Sequence, residues 1–170
     1  IIFMKNLVKI IFVTVFVLIG ILVFNTFKLS TNKESEITTI DIAKDDTAAK
    51  HLSEAIQIKT VSFGDTLPID TAEFLKFRAF MENTYPLMHA KLEKQSFNQF
   101  SYVFKWKGKD STKAPFVLMA HLDVVPVEAI AESKWTFPSF SGMINQDTIW
   151  GRGAVDDKSS AIAIMEATEQ

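Results

Sequence analysis

Residues 115–126 read Pro115-Phe116-Val117-Leu118-Met119-Ala120-His121-Leu122-Asp123-Val124-Val125-Pro126. Phe116 to Ala120 is an uninterrupted apolar run, which fits a strand covered on both faces. Such a strand, expected over Pro115 to His121, belongs in a mostly parallel sheet with helices on each side, so the expected fold class is α/β. The run then turns polar. At a strand period of two, His121 and Asp123 project to the same side. They do so at a carboxyl strand end, where ligands gather in open α/β sheets. An imidazole that binds metal through one nitrogen needs the other held, and a carboxylate two residues on is placed to hold it. A lone His-x-Asp at a strand end is also read simply as a structural or surface pair.

Downstream, Ile149-Trp150-Gly151-Arg152-Gly153-Ala154-Val155-Asp156-Asp157-Lys158-Ser159-Ser160 leads from a short strand through a glycine-punctuated turn. Ala161, Ile162, Ile164 and Met165 then mark a helix over Ala161 to Thr168, with Ser159 or Asp157 near its N-cap. A carboxylate in the turn before that helix is a candidate metal ligand. Its ordinary reading is an N-cap and a charge favoured by the helix dipole. Upstream, Ala49, Leu52, Ala55 and Ile56 recur at helical spacing and predict a helix ending near Lys59. Phe74, Leu75, Phe77, Phe80 and Met81 predict a second, capped by Asp70 or Thr71 and stopped or bent at Pro86. Ser96 to Trp106 has strand composition, and Gly108 to Ser111 reads as a turn.

The N-terminus is of a different kind. Leu7 to Phe27 is apolar with Lys9 its only charge, close to the roughly 20 residues that cross a hydrocarbon core of about 30 Å. Basic Lys5 and Lys9 also suit a secretory signal, but no small-x-small cleavage site follows Phe24, so an uncleaved signal anchor is expected. The organisation read from the sequence is a flank over 1–6, a transmembrane anchor over 7–27, a polar tether over 28–45 and a globular part over 46–170. That part is expected outside the cytoplasm, on a single-pass membrane protein.

The formal charge of -2 from 18 basic and 20 acidic residues offers no field for nucleic acid, which is excluded as a partner. With no cysteine, disulfides, thiolate metal sites and cysteine nucleophiles are excluded too, so any metal is held by histidine and carboxylate.

The order HLDVVP, then the connector Trp135-Thr136-Phe137-Pro138-Ser139-Phe140-Ser141-Gly142, then IWGRGAVDDKSS resembles the signature of the M20 metallopeptidases. Within that family it is similar to the subgroup containing carboxypeptidase S and the N-acyl-amino-acid hydrolases. The likeness covers Ala49 to Gln170 and implies a zinc exopeptidase-like catalytic domain with two zinc ions. By resemblance His121 is a zinc ligand, Asp123 orients it and supports catalysis, and Asp156 bridges the two ions. The Asp156–Asp157 peptide is implied to be cis. Ser159-Ser160 and the Asn145-Gln146-Asp147-Thr148 turn depart from the usual pattern without touching a ligand.

The implied activity is hydrolysis of an amide next to a free carboxylate, in a peptide C-terminus or an N-acyl amino acid, by a zinc-activated water. The different-class alternative is a non-catalytic, membrane-tethered binding ectodomain that keeps the fold. The resemblance also implies a glutamate pair, another carboxylate and a distal histidine, all expected beyond Gln170. A later lid or dimerisation domain would make a homodimer. The chain alone is therefore expected to be inactive and only partly folded, with His121 and Asp156 close together in an open cleft. No substrate-binding residue is identified.

His51 and His89 have no partner at ligand spacing and are read as surface or packing residues. Phe77, Phe80, Phe97 and Phe100 are read as core, and Trp135, Phe137 and Phe140 as packing around Pro138. Arg152 is read as structural, bonding backbone or a carboxylate near its turn.

Overall fold

The computed structural model describes residues 2–30, 46–64 and 67–170. Most of the expected tether, residues 31–45, lies outside them. The chain divides into two units, Ile1–Ile42 and Ala43–Gln170.

In the first unit, α1 (Ile2–Ser30) is one continuous helix. Its Met4–Lys28 portion is long and apolar enough to cross a membrane, and an 18-residue stretch within it has mean hydropathy 3.0; a signal sequence has the same character. Thr14 and Thr26 do not interrupt it, because their hydroxyls donate to the carbonyls of Ile10 and Leu22 at 2.9 and 2.8 Å.

The second unit is built on four helices: α2 (Asp46–Gln57), α3 (Thr71–Thr84), α4 (Pro86–Lys91) and α6 (Lys158–Glu169), with the short α5 (Ala129–Glu132) in the connector. α3 starts at Asp70, whose carboxylate accepts the Ala72 N–H at 3.0 Å, and ends before Pro86, which opens α4. Pro86 thus separates two helices, since its ring excludes a continuous ladder but suits a first helical turn. α4 has no side-chain cap of its own. Glu169 at the end of α6 takes the N–H groups of Leu87 and Met88 at 2.9 and 2.8 Å. Ala55, Ile58, Phe77, Met81, Tyr85, Met88, Ala161, Ile162 and Met165 form the buried core between these helices.

The strands differ from expectation. Ser96 to Trp106 is not one strand. β1 (Glu93–Phe97) and β2 (Ser101–Lys105) pair antiparallel, and the chain reverses through Asn98 and Gln99 at φ 46° and 70°. Phe97 points outward and is half exposed, so it is not core; Phe100 packs on Phe74 with ring centroids 5.2 Å apart, while Phe77 is buried. β3 (Met143–Asn145) and β4 (Thr148–Trp150) form a second hairpin closed by Gln146 and Asp147.

The mostly parallel sheet is not present among the described residues. Phe116 to Met119 forms no ladder and stands in solvent, Phe116 at 84% exposure. A strand exists only through partners for its N–H and C=O groups, and no described strand lies beside this one. Among the described residues, a parallel bridge joins Val61 and Val124.

Candidate metal site

The segment carrying His121 is held against the chain that leaves α2. Val124 N–H donates to Thr60 O and Ser62 N–H to Val124 O, both at 2.9 Å, and the buried Thr60 hydroxyl donates to Leu122 O at 2.5 Å. The turn carrying Asp156 is packed on the same end of α2. A Cβ on Gly151 would strike Ile56 Cγ2, and one on Gly153, at φ +87°, would lie 2.7 Å from Val124 Cγ1. Glycine is therefore required at both places for the turn to approach this closely.

Two segments distant in sequence are thereby brought together. His121 Nε2 lies 2.9 Å from Asp156 Oδ1. On the other side of the ring, Nδ1 lies 2.9 Å from the main-chain oxygen of Asp123 and 3.3 Å from its carboxylate. Asp123 thus holds the ring chiefly through its backbone, a contact that side-chain spacing alone does not reveal. Partial burial pulls the His121 pKa down. The Asp123 carbonyl, the Asp156 carboxylate and the charges of both aspartates outweigh it, and the net direction is up. The pair is open to solvent, with the Asp156 side chain 89% exposed.

Asp157 has a role that the sequence reading did not assign. It occupies the N-cap position of α6 but makes no capping bond there; its carboxylate instead accepts the His121 backbone N–H at 3.3 Å. The Asp156–Asp157 peptide is cis. Lys158 was also missed. It is fully buried, its ammonium donates to Ala55 O and Ile58 O at 2.8 and 2.6 Å, and it lies over the Phe77 ring at 5.2 Å. Burial pushes its pKa down to about 8.

The residues set aside fall into three places. His51 is paired through space with Glu166 at 2.5 Å, and Tyr85 donates its hydroxyl to the same carboxylate oxygen at 2.8 Å. His51 therefore does have a carboxylate partner, supplied from α6 by folding and not by local spacing. His89 packs edge-on against Phe104 and contacts Tyr85 O at 2.8 Å. In the connector, Phe137 packs edge-on against Trp150, Lys59 lies over Phe140 and the Arg152 guanidinium lies over Trp135 at 5.4 Å. The partner of that guanidinium is thus an aromatic face, while the Arg152 backbone N–H donates to Ser139 O at 2.6 Å.

An imidazole nitrogen and a carboxylate oxygen directed at one another are the donor types zinc takes in a thiolate-free protein, so His121 and Asp156 fit part of such a centre. Among the described residues no group of three or more metal-binding side chains is arranged to hold an ion.

Residues 117–170 match the family model described as Peptidase family M20/M25/M40. The chain is 39% identical to probable carboxypeptidase S-like 2 of Dictyostelium discoideum, over 96% of this chain and 33% of that protein. It is 36% identical to carboxypeptidase S of Saccharomyces cerevisiae, over 84% of this chain and 26% of the relative. Its identity to the N-fatty-acyl-amino acid synthase/hydrolase of Mus musculus is 38%, over 69% of this chain and 23% of the relative. The chain spans a third or less of the length of these relatives.

Proposed function

Since this chain carries part of an M20 peptidase domain, which implies an α/β fold, we propose that it supplies His121 and Asp156 to the two-zinc centre of a membrane-anchored hydrolase. The reaction is cleavage of an amide next to a free carboxylate, in a peptide C-terminus or an N-acyl amino acid. The observation that carries this reading is the 2.9 Å approach of His121 Nε2 to Asp156 Oδ1 with the opposite ring nitrogen already engaged by Asp123. The names of the relatives support the substrate class: a carboxypeptidase and an N-acyl-amino-acid hydrolase both act beside a free carboxylate.

Zinc, when bound, supplies a Lewis acid and a water that is nucleophilic near neutral pH. The part played by this chain is placement. Asp123 holds Nδ1 and leaves Nε2 directed at Asp156, Asp157 tethers the His121 main chain, and Asp156 offers an exposed carboxylate, so that His121 and Asp156 would be the residues of this chain that hold the metal. Assay of the complete ectodomain with zinc or cobalt on C-terminal peptide bonds and on N-acyl amino acids tests the proposal. Activity lost in His121→Ala is expected; inactivity of the wild-type protein on every such amide would sink it.

We also propose that α1 is an uncleaved signal anchor holding residues 46–170 outside the cytoplasm. Its length and hydropathy support this, with Lys5 and Lys9 as the basic flank. Soluble extracytoplasmic protein with a new N-terminus between Asn25 and Ser35 would overturn it.

A further inference from the structure

His121 and Asp156 come from segments that share no strand or helix, yet both are referenced to one landmark, the C-terminal end of α2. On the His121 side the reference is the seam of Thr60, Ser62, Leu122 and Val124 described above. On the Asp156 side it is Lys158. The last carbonyls of a helix have no partners within it and carry partial negative charge, which suits an ammonium. Lys158 Nζ takes Ala55 O at 2.8 Å, in the last turn of α2, and Ile58 O at 2.6 Å, one residue past its end, from a position with no solvent exposure; the same oxygens accept the N–H groups of Ile58 and Thr60 at 3.3 and 3.0 Å. Its main-chain N–H closes the turn by donating to Gly153 O at 3.0 Å, and a Cβ at Gly153 would collide with Val124 and approach Lys158 Cδ at 3.3 Å. Turn, lysine and seam are therefore in mutual contact.

We propose that Lys158 is a positioning residue: by capping the C-terminus of α2 with a buried ammonium, it holds the Asp156 turn in register with the Thr60–Val124 seam and so sets the separation of His121 and Asp156. This rests on the reading of those two residues as metal ligands. A lysine that only stabilised the fold would contribute to melting temperature and leave the metal affinity of the folded protein unchanged. A positioning lysine changes that affinity, because the two donors no longer meet at one point.

The test uses the complete protein, stripped of metal, with zinc affinity measured by competition against a chromophoric chelator well below the melting temperature, and folding followed by circular dichroism. Lys158→Met keeps the length and the apolar stem but removes the donors. Its zinc affinity is expected to fall about 10- to 100-fold, the range typical of residues that orient metal ligands. Thr60→Val breaks the other tie at nearly constant volume and is expected to weaken zinc in the same direction. Thr60→Ser, which keeps the hydroxyl, is expected to restore it. Folded Lys158→Met with wild-type affinity overturns the proposal. If that variant does not fold, the decision passes to the threonine pair, and equal affinities for Thr60→Val and Thr60→Ser overturn it. Absence of zinc uptake by the wild-type protein instead refutes the ligand reading on which the proposal stands.

Discussion

Replacing Glu166 with alanine tests whether the α6 carboxylate is what fastens that helix to α2 and to the junction of α3 and α4. One oxygen of Glu166 accepts the Tyr85 hydroxyl at 2.8 Å and contacts His51 Nδ1 at 2.5 Å. Tyr85 is fully buried, so the substitution takes away the acceptor of a buried hydroxyl. An unsatisfied buried hydroxyl costs about 1–3 kcal/mol. The His51 contact lies nearer the surface, with side chains 21% and 17% exposed, and adds about 0.5–1 kcal/mol at most. Alanine returns a few tenths of a kcal/mol in helix propensity. The expected net loss is therefore about 1.5–3.5 kcal/mol, dominated by the tyrosine.

The assay is urea denaturation of residues 43–170 followed by far-ultraviolet circular dichroism, which reports the helical cluster. With a slope of about 1.5 kcal/mol/M, the midpoint should fall by roughly 1–2 M. Glu166→Gln keeps a neutral acceptor for the hydroxyl and should lose less than half as much. In a Tyr85→Phe background the hydroxyl is gone, and Glu166→Ala should then cost at least about 1 kcal/mol less than it does alone. Additive effects of the two substitutions, or a loss below about 0.5 kcal/mol for Glu166→Ala, would refute the argument that the pair acts as one unit.

Burial, then the hydrogen bond to Glu166 and the nearby carboxylate charges, raise the Tyr85 pKa above its ordinary value. The unfolded tyrosine ionises near pH 10; the folded one resists, so its contribution is fully present below that pH and is lost as pH rises beyond it. Tyr85→Phe should flatten the decline of stability measured above pH 10. Gly153→Ala should destabilise residues 43–170 by about 2 kcal/mol or more in the same denaturation assay, since it combines φ +87° with a Cβ 2.7 Å from Val124. The exposed run from Phe116 to Met119 should make this chain bind the dye ANS and self-associate, and Phe116→Lys with Met119→Lys should reduce both in fluorescence and light-scattering measurements.

What was legible in the sequence was local. The α3 start follows from an aspartate whose side chain can reach the N–H two residues on, and the α6 stripe from apolar residues at helical spacing. Both depend on contacts within a turn or two of helix, and such contacts are written in consecutive residues. The β1–β2 hairpin was hidden because its reversal runs through Asn98 and Gln99, and glutamine at positive φ gives no turn signal. The run from Phe116 to Ala120 marks a segment suited to burial, but strand pairing depends on a neighbour, and the run itself does not name one.

The same division runs through the site. His-x-Asp and the aspartate turn stand out because metal chemistry needs those residue types, and the structure brings His121 and Asp156 to 2.9 Å. Lys158 does not stand out, because lysine is ordinarily a surface residue and its acceptors lie about a hundred positions upstream. His51 and Glu166, 115 positions apart, are hidden for the same reason. A donor advertises itself by its chemistry, whereas the residue that fixes its position acts through backbone oxygens that any sequence supplies. Those oxygens become visible only when a buried cation is found taking them at a helix end. Here that helix end is the C-terminus of α2, and the segments carrying His121 and Asp156 are both hung from it.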